Sequence, residues 1–217
     1  MDNLSDKNRQ RAGAVKAFFG LSVLMLSGII FLVLLVASLT TLVALGIALL
    51  TALSLLWVSK TSERRILEKL PGAQLGEGAQ PRLTNLVEGL CLSTGISPPR
   101  IHLLPTEGRN IAALGRSVDR STLIIATGLL EAATRIELEA VLANRISQIA
   151  SCRTALATTA ITTFGMSIEL ASLRIRPFLF LAGTLKRKIG LQVDPSHDFS
   201  GDVAGAGITR YPPGMVE

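Results

Sequence analysis

AFFGLSVLMLSGIIFLVLLVASLTTLVALGIALLTALSLLWVS, residues 17–59, runs for 43 positions without a charged side chain. One helix of that length would reach ~65 Å, about twice the hydrocarbon core of a bilayer. Two helices joined by a tight turn fit better. The most polar spot, Ser38-Leu39-Thr40-Thr41, lies near the middle and can form the bend. The spans fall near 18–37 and 42–58, which puts Trp57 at the membrane interface, where indole rings are favoured. Lys7, Arg9, Arg11 and Lys16 precede the hairpin, Lys60, Arg64, Arg65 and Lys69 follow it, and its turn is uncharged. The positive-inside rule then predicts both termini in the cytoplasm, with the hairpin in the cell (inner) membrane. A cleaved signal peptide does not fit, because the run outlasts a signal core and no small-x-small site breaks it.

Composition agrees with this placement. Hydrophobic residues make up 48% of the 217 and charged ones only 18%, which is apolar for a wholly soluble protein. Basic side chains outnumber acidic ones, 22 to 16, and the excess is explained by the hairpin flanks. Aromatic residues are only 4%, without the basic and aromatic interleaving of a single-strand binder, so no nucleic-acid partner is expected. Cys91 and Cys152 form no CxxC pair. They are expected to be free thiols in a reducing compartment, neither a disulfide scaffold nor a cysteine zinc site.

Outward from the hairpin the chain divides into a basic N-terminus (1–16), the hairpin (17–59), a linker (60–82) and a domain (83–217). Residues 61–70 are charged but helical in pattern and are expected to continue the second span. Residues 71–81 are a Gly/Pro loop. Leu83, Leu86, Val87, Leu90 and Cys91 recur at helical spacing, with a stop near Gly95. Residues 101–104, 111–115 and 122–126 are short and apolar and predict three strands. A short helix opens at Thr127. Thr134 and Glu137 form a capping box for a helix over 135–150. Within an apolar, possible membrane-associated region (154–185), residues 154–168 and 177–185 are uncharged but short for full spans. Each is expected as a buried core helix or a segment at the bilayer surface, with Lys186-Arg187-Lys188 among headgroups. The fold class is α+β: a transmembrane hairpin, then a mainly helical domain with a small β-sheet.

The helix over 135–150 carries LEAVLANRISQIA (138–150), in which Asn144 and Gln148, four apart, share one face with Arg145 beside them. Read in order, the hairpin, PRLTNLVEGL (81–90), RNIAALGR (109–116), TGLLEAATRIELEAVLANRISQ (127–148) and HDFSGDVAGAGITRYPPGMVE (197–217) resemble the HtpX-like membrane zinc metallopeptidases. The resemblance covers nearly the whole chain and implies a zincin-like domain. In that family an HExxH helix supplies two zinc-binding histidines and a glutamate base. Here those positions are Asn144, Arg145 and Gln148. An ExxxD motif supplies the third ligand, which falls on Asp198, with Asp202 as its partner carboxylate. The strand that pairs with extended substrate falls on 110–115, keeping Asn110, Ala113 and Gly115. The chain stops at Glu217, where the family usually continues into another helix, so its end is truncated or naturally short.

These substitutions remove the chemistry. Carboxamide oxygens are weak zinc ligands. A guanidinium cannot act as a base, and beside a dication it repels by several kcal/mol at an effective dielectric of about 20. Arg145 is instead expected to pair with Asp198 or Asp202. The expected protein is a membrane-anchored pseudoprotease that lacks zinc, sits in the lipid bilayer and binds membrane or unfolded polypeptides. An active zinc-dependent metalloendopeptidase of membrane protein quality control is the alternative, and a purely structural membrane protein the third. Among the two histidines, His102 is expected in the core or at a sheet edge. His197 beside Asp198 is a loose cluster at best.

Overall fold

The structure, a computed structural model, describes residues 2–37, 40–76, 78–164, 168–170 and 173–175. The apolar run folds as two helices packed on each other, α1 (Asp2–Val36) and α2 (Thr41–Lys69). They break within the short polar stretch where the bend was expected. α1 outruns the span assigned from sequence, beginning at Asp2 inside the basic N-terminus, while α2 continues to Lys69 as the helical pattern of 61–70 predicts. Extending an existing helix adds one hydrogen bond for each residue fixed, so the charged flanks join the helices. Both helices are long and apolar enough to cross a membrane. Leu24, Met25, Leu32, Val36, Leu42 and Leu50 stand exposed on their outer faces, an apolar surface suited to lipid rather than water.

The segment after 150 is a third helix, α6 (Arg153–Phe164), lodged against both hairpin helices. Ala12, Val15, Phe19 and Val23 of α1 meet Leu55 of α2 and Leu156 and Ala160 of α6 in one buried cluster. Asn8 on α1 donates from Nδ2 to the Ser151 carbonyl at 2.8 Å, at the approach to α6. The uncharged segment from Thr154 is therefore a core helix of a three-helix bundle over its first turns. It does not stay helical to 168: Ile168–Leu170 (β5) pairs antiparallel with Leu173–Ile175 (β6), a hairpin the sequence pattern did not reveal. Residues 177–188, including the expected headgroup-facing basic run, lie outside the described residues.

Between hairpin and α6 lies a four-stranded mixed sheet in the order β1-β2-β4-β3. β2 (Arg100–Leu104) is parallel to β4 (Thr122–Ala126), and β3 (Ile111–Leu114) is antiparallel to β4 on the outside. These are the three strands read from the sequence. The fourth, β1 (Ala73–Gln74), hides in the Gly/Pro loop and pairs with His102 and Leu103. Two exposed residues carry no periodicity, so only the tertiary pairing identifies it. β4 reads Thr-Leu-Ile-Ile-Ala and is largely buried, as a strand flanked on both sides must be. Leu83, Val87, Leu90 and Cys91 of α3 (Pro81–Thr94) and Leu142, Ala143, Ile146 and Ile149 of α5 (Arg135–Ala150) close on Leu123 and Ile125 to form the core. Gly95, at φ +70, ends α3 where the sequence predicted a stop. Burial pushes the Cys91 thiol up to about 11, with Glu88 adding to the effect, so this free cysteine is inert at neutral pH.

A short helix, α4 (Thr127–Ala132), leads to the capping box. The Thr134 N–H donates to Glu137 Oε2 at 2.6 Å, and the Glu137 N–H donates to Thr134 Oγ1 at 3.3 Å. Hydrogen bonds from the Thr134 backbone and then its side chain hold the Glu137 carboxyl below its ordinary range. A lowered carboxyl stabilises the fold above the unfolded value, and that support is lost as pH falls through the lowered one. Thr134→Ala should cost about 1 kcal/mol in thermal or denaturant unfolding. Acidification below the ordinary glutamate value of ~4.3 should reduce the protection of amides in the first turn of α5, measured relative to their unprotected exchange rate at the same pH, an effect absent in Glu137→Gln.

Candidate functional site

α5 is amphipathic in the sense that matters here. Leu142, Ile146 and Ile149 face the core, while Asn144, Arg145 and Gln148 are half-buried on the other side. The three polar residues bond to one another. Arg145 Nη1 donates to Gln148 Oε1 at 3.1 Å, and Gln148 Nε2 donates to Asn144 Oδ1 at 2.7 Å. The helix spacing i, i+3, i+4 makes this ladder possible. It also bears on metal binding. The carboxamide oxygens are the atoms through which Asn144 and Gln148 would ligate, and each already accepts a hydrogen bond from its neighbour. A fixed guanidinium charge sits in the same ladder. This donor set does not fit zinc. Among the described residues no three His, Cys, Asp or Glu side chains come together as a metal cluster. Asp198, Asp202 and His197 lie outside the described residues, as does any pairing of Arg145 with those aspartates.

Among the described residues β3 is an end strand of the sheet, and both α5 and α6 contact it. The Ala126 N–H donates to the Asn110 carbonyl at 3.0 Å, which fixes the alternation along the ladder. Ala112 and Leu114 pair inward with Ile124 and Thr122, so the peptide groups of Ile111 and Ala113 face away from β4. Among the described residues no strand covers that edge. Gly115 continues the alternation, and its outward N–H donates to Thr158 Oγ1 on α6 at 3.0 Å. Gly115 has a steric reason as well: a Cβ there would lie 2.7 Å from the Arg120 carbonyl oxygen and the Ser121 Cα.

The sequence pattern missed the residue beside it. Arg116 inserts between α2 and α6. Its Nη2 donates to the Ser59 carbonyl and, at 2.6 Å, to Thr162 Oγ1; its Nε donates to Thr162 Oγ1 at 3.2 Å. Thr162 passes its own proton to the Thr158 carbonyl at 2.7 Å. One turn beyond Ser59, burial pushes the Glu63 carboxyl above its ordinary range, with Arg116 and Arg120 opposing. Burial likewise pulls Arg116 below its usual value, opposed by Glu63. The available clue in sequence was the pair of threonines four apart on α6, Thr158 and Thr162, which read only as part of an uncharged run. His102 behaves as expected of a core or edge residue: it is buried on β2, with Nε2 3.4 Å from the Pro71 carbonyl oxygen.

Two apolar helices long enough to cross a membrane lead into a mainly helical domain with a small mixed sheet, and the sequences similar to this chain suggest a membrane metallopeptidase-like protein. The chain is HtpX-like. It is 28% identical over 157 residues to a protease HtpX homolog of Dictyoglomus turgidum, a match covering 63% of this chain and 52% of that protein. It is also 28% identical over 174 residues to one from Acidiphilium cryptum, covering 72% of this chain and 60% of that protein. A protease HtpX homolog of Pyrococcus furiosus is 35% identical over 98 residues, 45% of this chain and 34% of that protein. The chain spans about half the length of the curated relatives it matches. No family model and no solved structure matches it.

Proposed function

We propose that this protein is a membrane-anchored pseudoprotease with a zincin-like domain, which binds extended polypeptide along the free edge of β3 without cleaving it. The observation that carries this reading is the ladder on α5. At the positions that hold metal and base in the family, Asn144, Arg145 and Gln148 bond to one another, each carboxamide oxygen accepts a hydrogen bond, and a fixed positive charge stands beside them. The edge beside them keeps what binding needs. Ile111 and Ala113 offer outward peptide groups, and added strands gain affinity from main-chain hydrogen bonds rather than from a catalytic group. The basic residues at both ends of the hairpin support a domain on the cytoplasmic side of the cell (inner) membrane. Its partners would be the bilayer and unfolded or membrane polypeptides.

Ala113→Pro tests the binding edge. Proline at 113 removes an outward donor and spares the ladder to β4, whereas Ala112→Pro removes an inward N–H that β4 uses. With reduced, alkylated lactalbumin as an unfolded probe, Ala113→Pro should weaken binding to the purified full chain about tenfold, equivalent to one or two lost hydrogen bonds. Ala112→Pro should instead lower thermal stability. Equal binding by the parent and Ala113→Pro would reject the edge as the binding surface and favour a purely structural protein.

A working zinc metalloendopeptidase is the second reading, favoured by the relatives, which are named proteases. Metal analysis of the purified chain separates the two. One zinc per chain together with chelator-sensitive cleavage of the same probe establishes the enzyme; a metal-free chain that binds without cutting establishes the pseudoprotease.

A further inference from the structure

Arg116 and its backbone neighbour Gly115 grip the same stretch of α6 at two points. Gly115 donates its N–H to Thr158, and Arg116 donates to Thr162, one turn later. The two threonines are themselves joined, because the Thr162 hydroxyl donates to the Thr158 carbonyl. The same Nη2 also donates to the carbonyl of Ser59, the last residue of the uncharged run and so the point where α2 leaves the apolar span. Nη2 bonds both elements at once, and the rigid guanidinium plane adds a second bond from Nε to Thr162, a paired geometry that lysine's flexible ammonium does not reproduce. The hydrogen-bond acceptors of the group are neutral oxygens on α2 and α6, and the Glu63 carboxylate lies near enough to favour its charge. A neutral amide would satisfy such oxygens at lower desolvation cost. Glu63 offsets part of that cost, and the long side chain reaches both helices at once.

The remainder of the β3 edge is not held this way. Ile111 and Ala113 turn their peptide groups outward, toward no other strand among the described residues. Gly115, at the hairpin end, is wedged against the backbone at Arg120 and Ser121. One end of the edge is thus clamped to the hairpin bundle, and the other meets no further strand among the described residues.

We propose that Arg116 is a positioning residue: seated between Ser59 on α2 and Thr162 on α6, it ties the free edge of β3 to the membrane hairpin, so that the packing of the hairpin sets the position and order of that edge. This rests on the edge being the binding surface proposed above, and the experiment reads the strand directly so that the two can fail separately.

Hydrogen exchange is followed by mass spectrometry on the full chain in lipid nanodiscs, for the parent, Arg116→Gln, Arg116→Lys and Thr162→Val. Thr162→Val keeps shape and removes only the hydroxyl, so it decides the matter if Arg116→Gln does not fold. Exchange over residues 110–116 is expected to accelerate about tenfold in Arg116→Gln and Thr162→Val, the effect of losing about one net hydrogen bond. Arg116→Lys should fall between these and the parent. The double variant should exchange no faster than either single one, since both remove the same link. Exchange over 101–104 and 122–126 should stay at the parent rate. Unchanged exchange over 110–116, or equal acceleration in all three strands, would overturn the proposal. Loss of probe binding in Ala113→Pro bears on the binding edge alone and leaves this result standing.

Discussion

Asn144→His, Arg145→Glu and Gln148→His, combined with Asp198→Glu, are expected to give a chain that holds one zinc ion with a dissociation constant of ~1 μM or tighter, roughly 8 kcal/mol of binding. The parent chain should hold none above background. The expectation follows from what the fold has kept. α5 is helical without interruption from Arg135 to Ala150, so side chains at 144 and 148 lie one turn apart on one face, the spacing two imidazoles need on a single metal. The substitutions free both ligand positions from the amide ladder and replace a guanidinium, which repels a dication, with a carboxylate that can accept a proton from bound water. Metal stoichiometry after dialysis is the measurement. Each ligand that binds must shed its proton, so uptake should weaken as pH falls below the imidazole range. A variant that folds and still binds no zinc would show that α5 does not face a ligand at 198, which would remove the residue-by-residue correspondence with the metallopeptidases at this site.

The second large effect is on stability. Leu142→Ala should destabilise the domain by about 3 kcal/mol, within the 2–5 kcal/mol typical of emptied leucine sites. Leu142 is fully buried where α5 meets α3 and β4, among Val87, Leu123, Ile125 and Ile146. Asn144→Ala, on the opposite face of the same helix, should stay within about 1 kcal/mol, since it breaks a half-buried amide contact. Denaturant unfolding in detergent compares the two. A Leu142→Ala cost no larger than that of Asn144→Ala would mean that α5 is not the helix on which the sheet packs.

The contrast between these two faces explains how much of the molecule was legible beforehand. Helix ends with local chemistry were read to the residue: the Thr134 and Glu137 box that starts α5, and Gly95 that ends α3. The three longer strands and the hairpin were legible because burial imposes a period, or a length, on the chain itself. β1 was not, being two residues whose only signature is their partner strand. α6 was read as a buried core helix or a segment at the bilayer surface, without a choice between them, because a helix rich in threonine has no sharp apolar face; only its neighbours show that Thr158 and Thr162 face Gly115 and Arg116. Likewise the replaced metal positions were plain in the sequence, while their mutual hydrogen bonds were not.

Sequence by itself determined the membrane hairpin, the likeness to HtpX-type proteins and the replacement of three residues on α5, because hydrophobic length, local caps and side-chain identity are written along the chain. Tertiary structure decided that α6 packs on the hairpin, that β3 is the open edge and that Arg116 joins the two. Those facts depend on which distant groups find each other once water is excluded. A polar atom that must be satisfied in the folded chain names its partner only there.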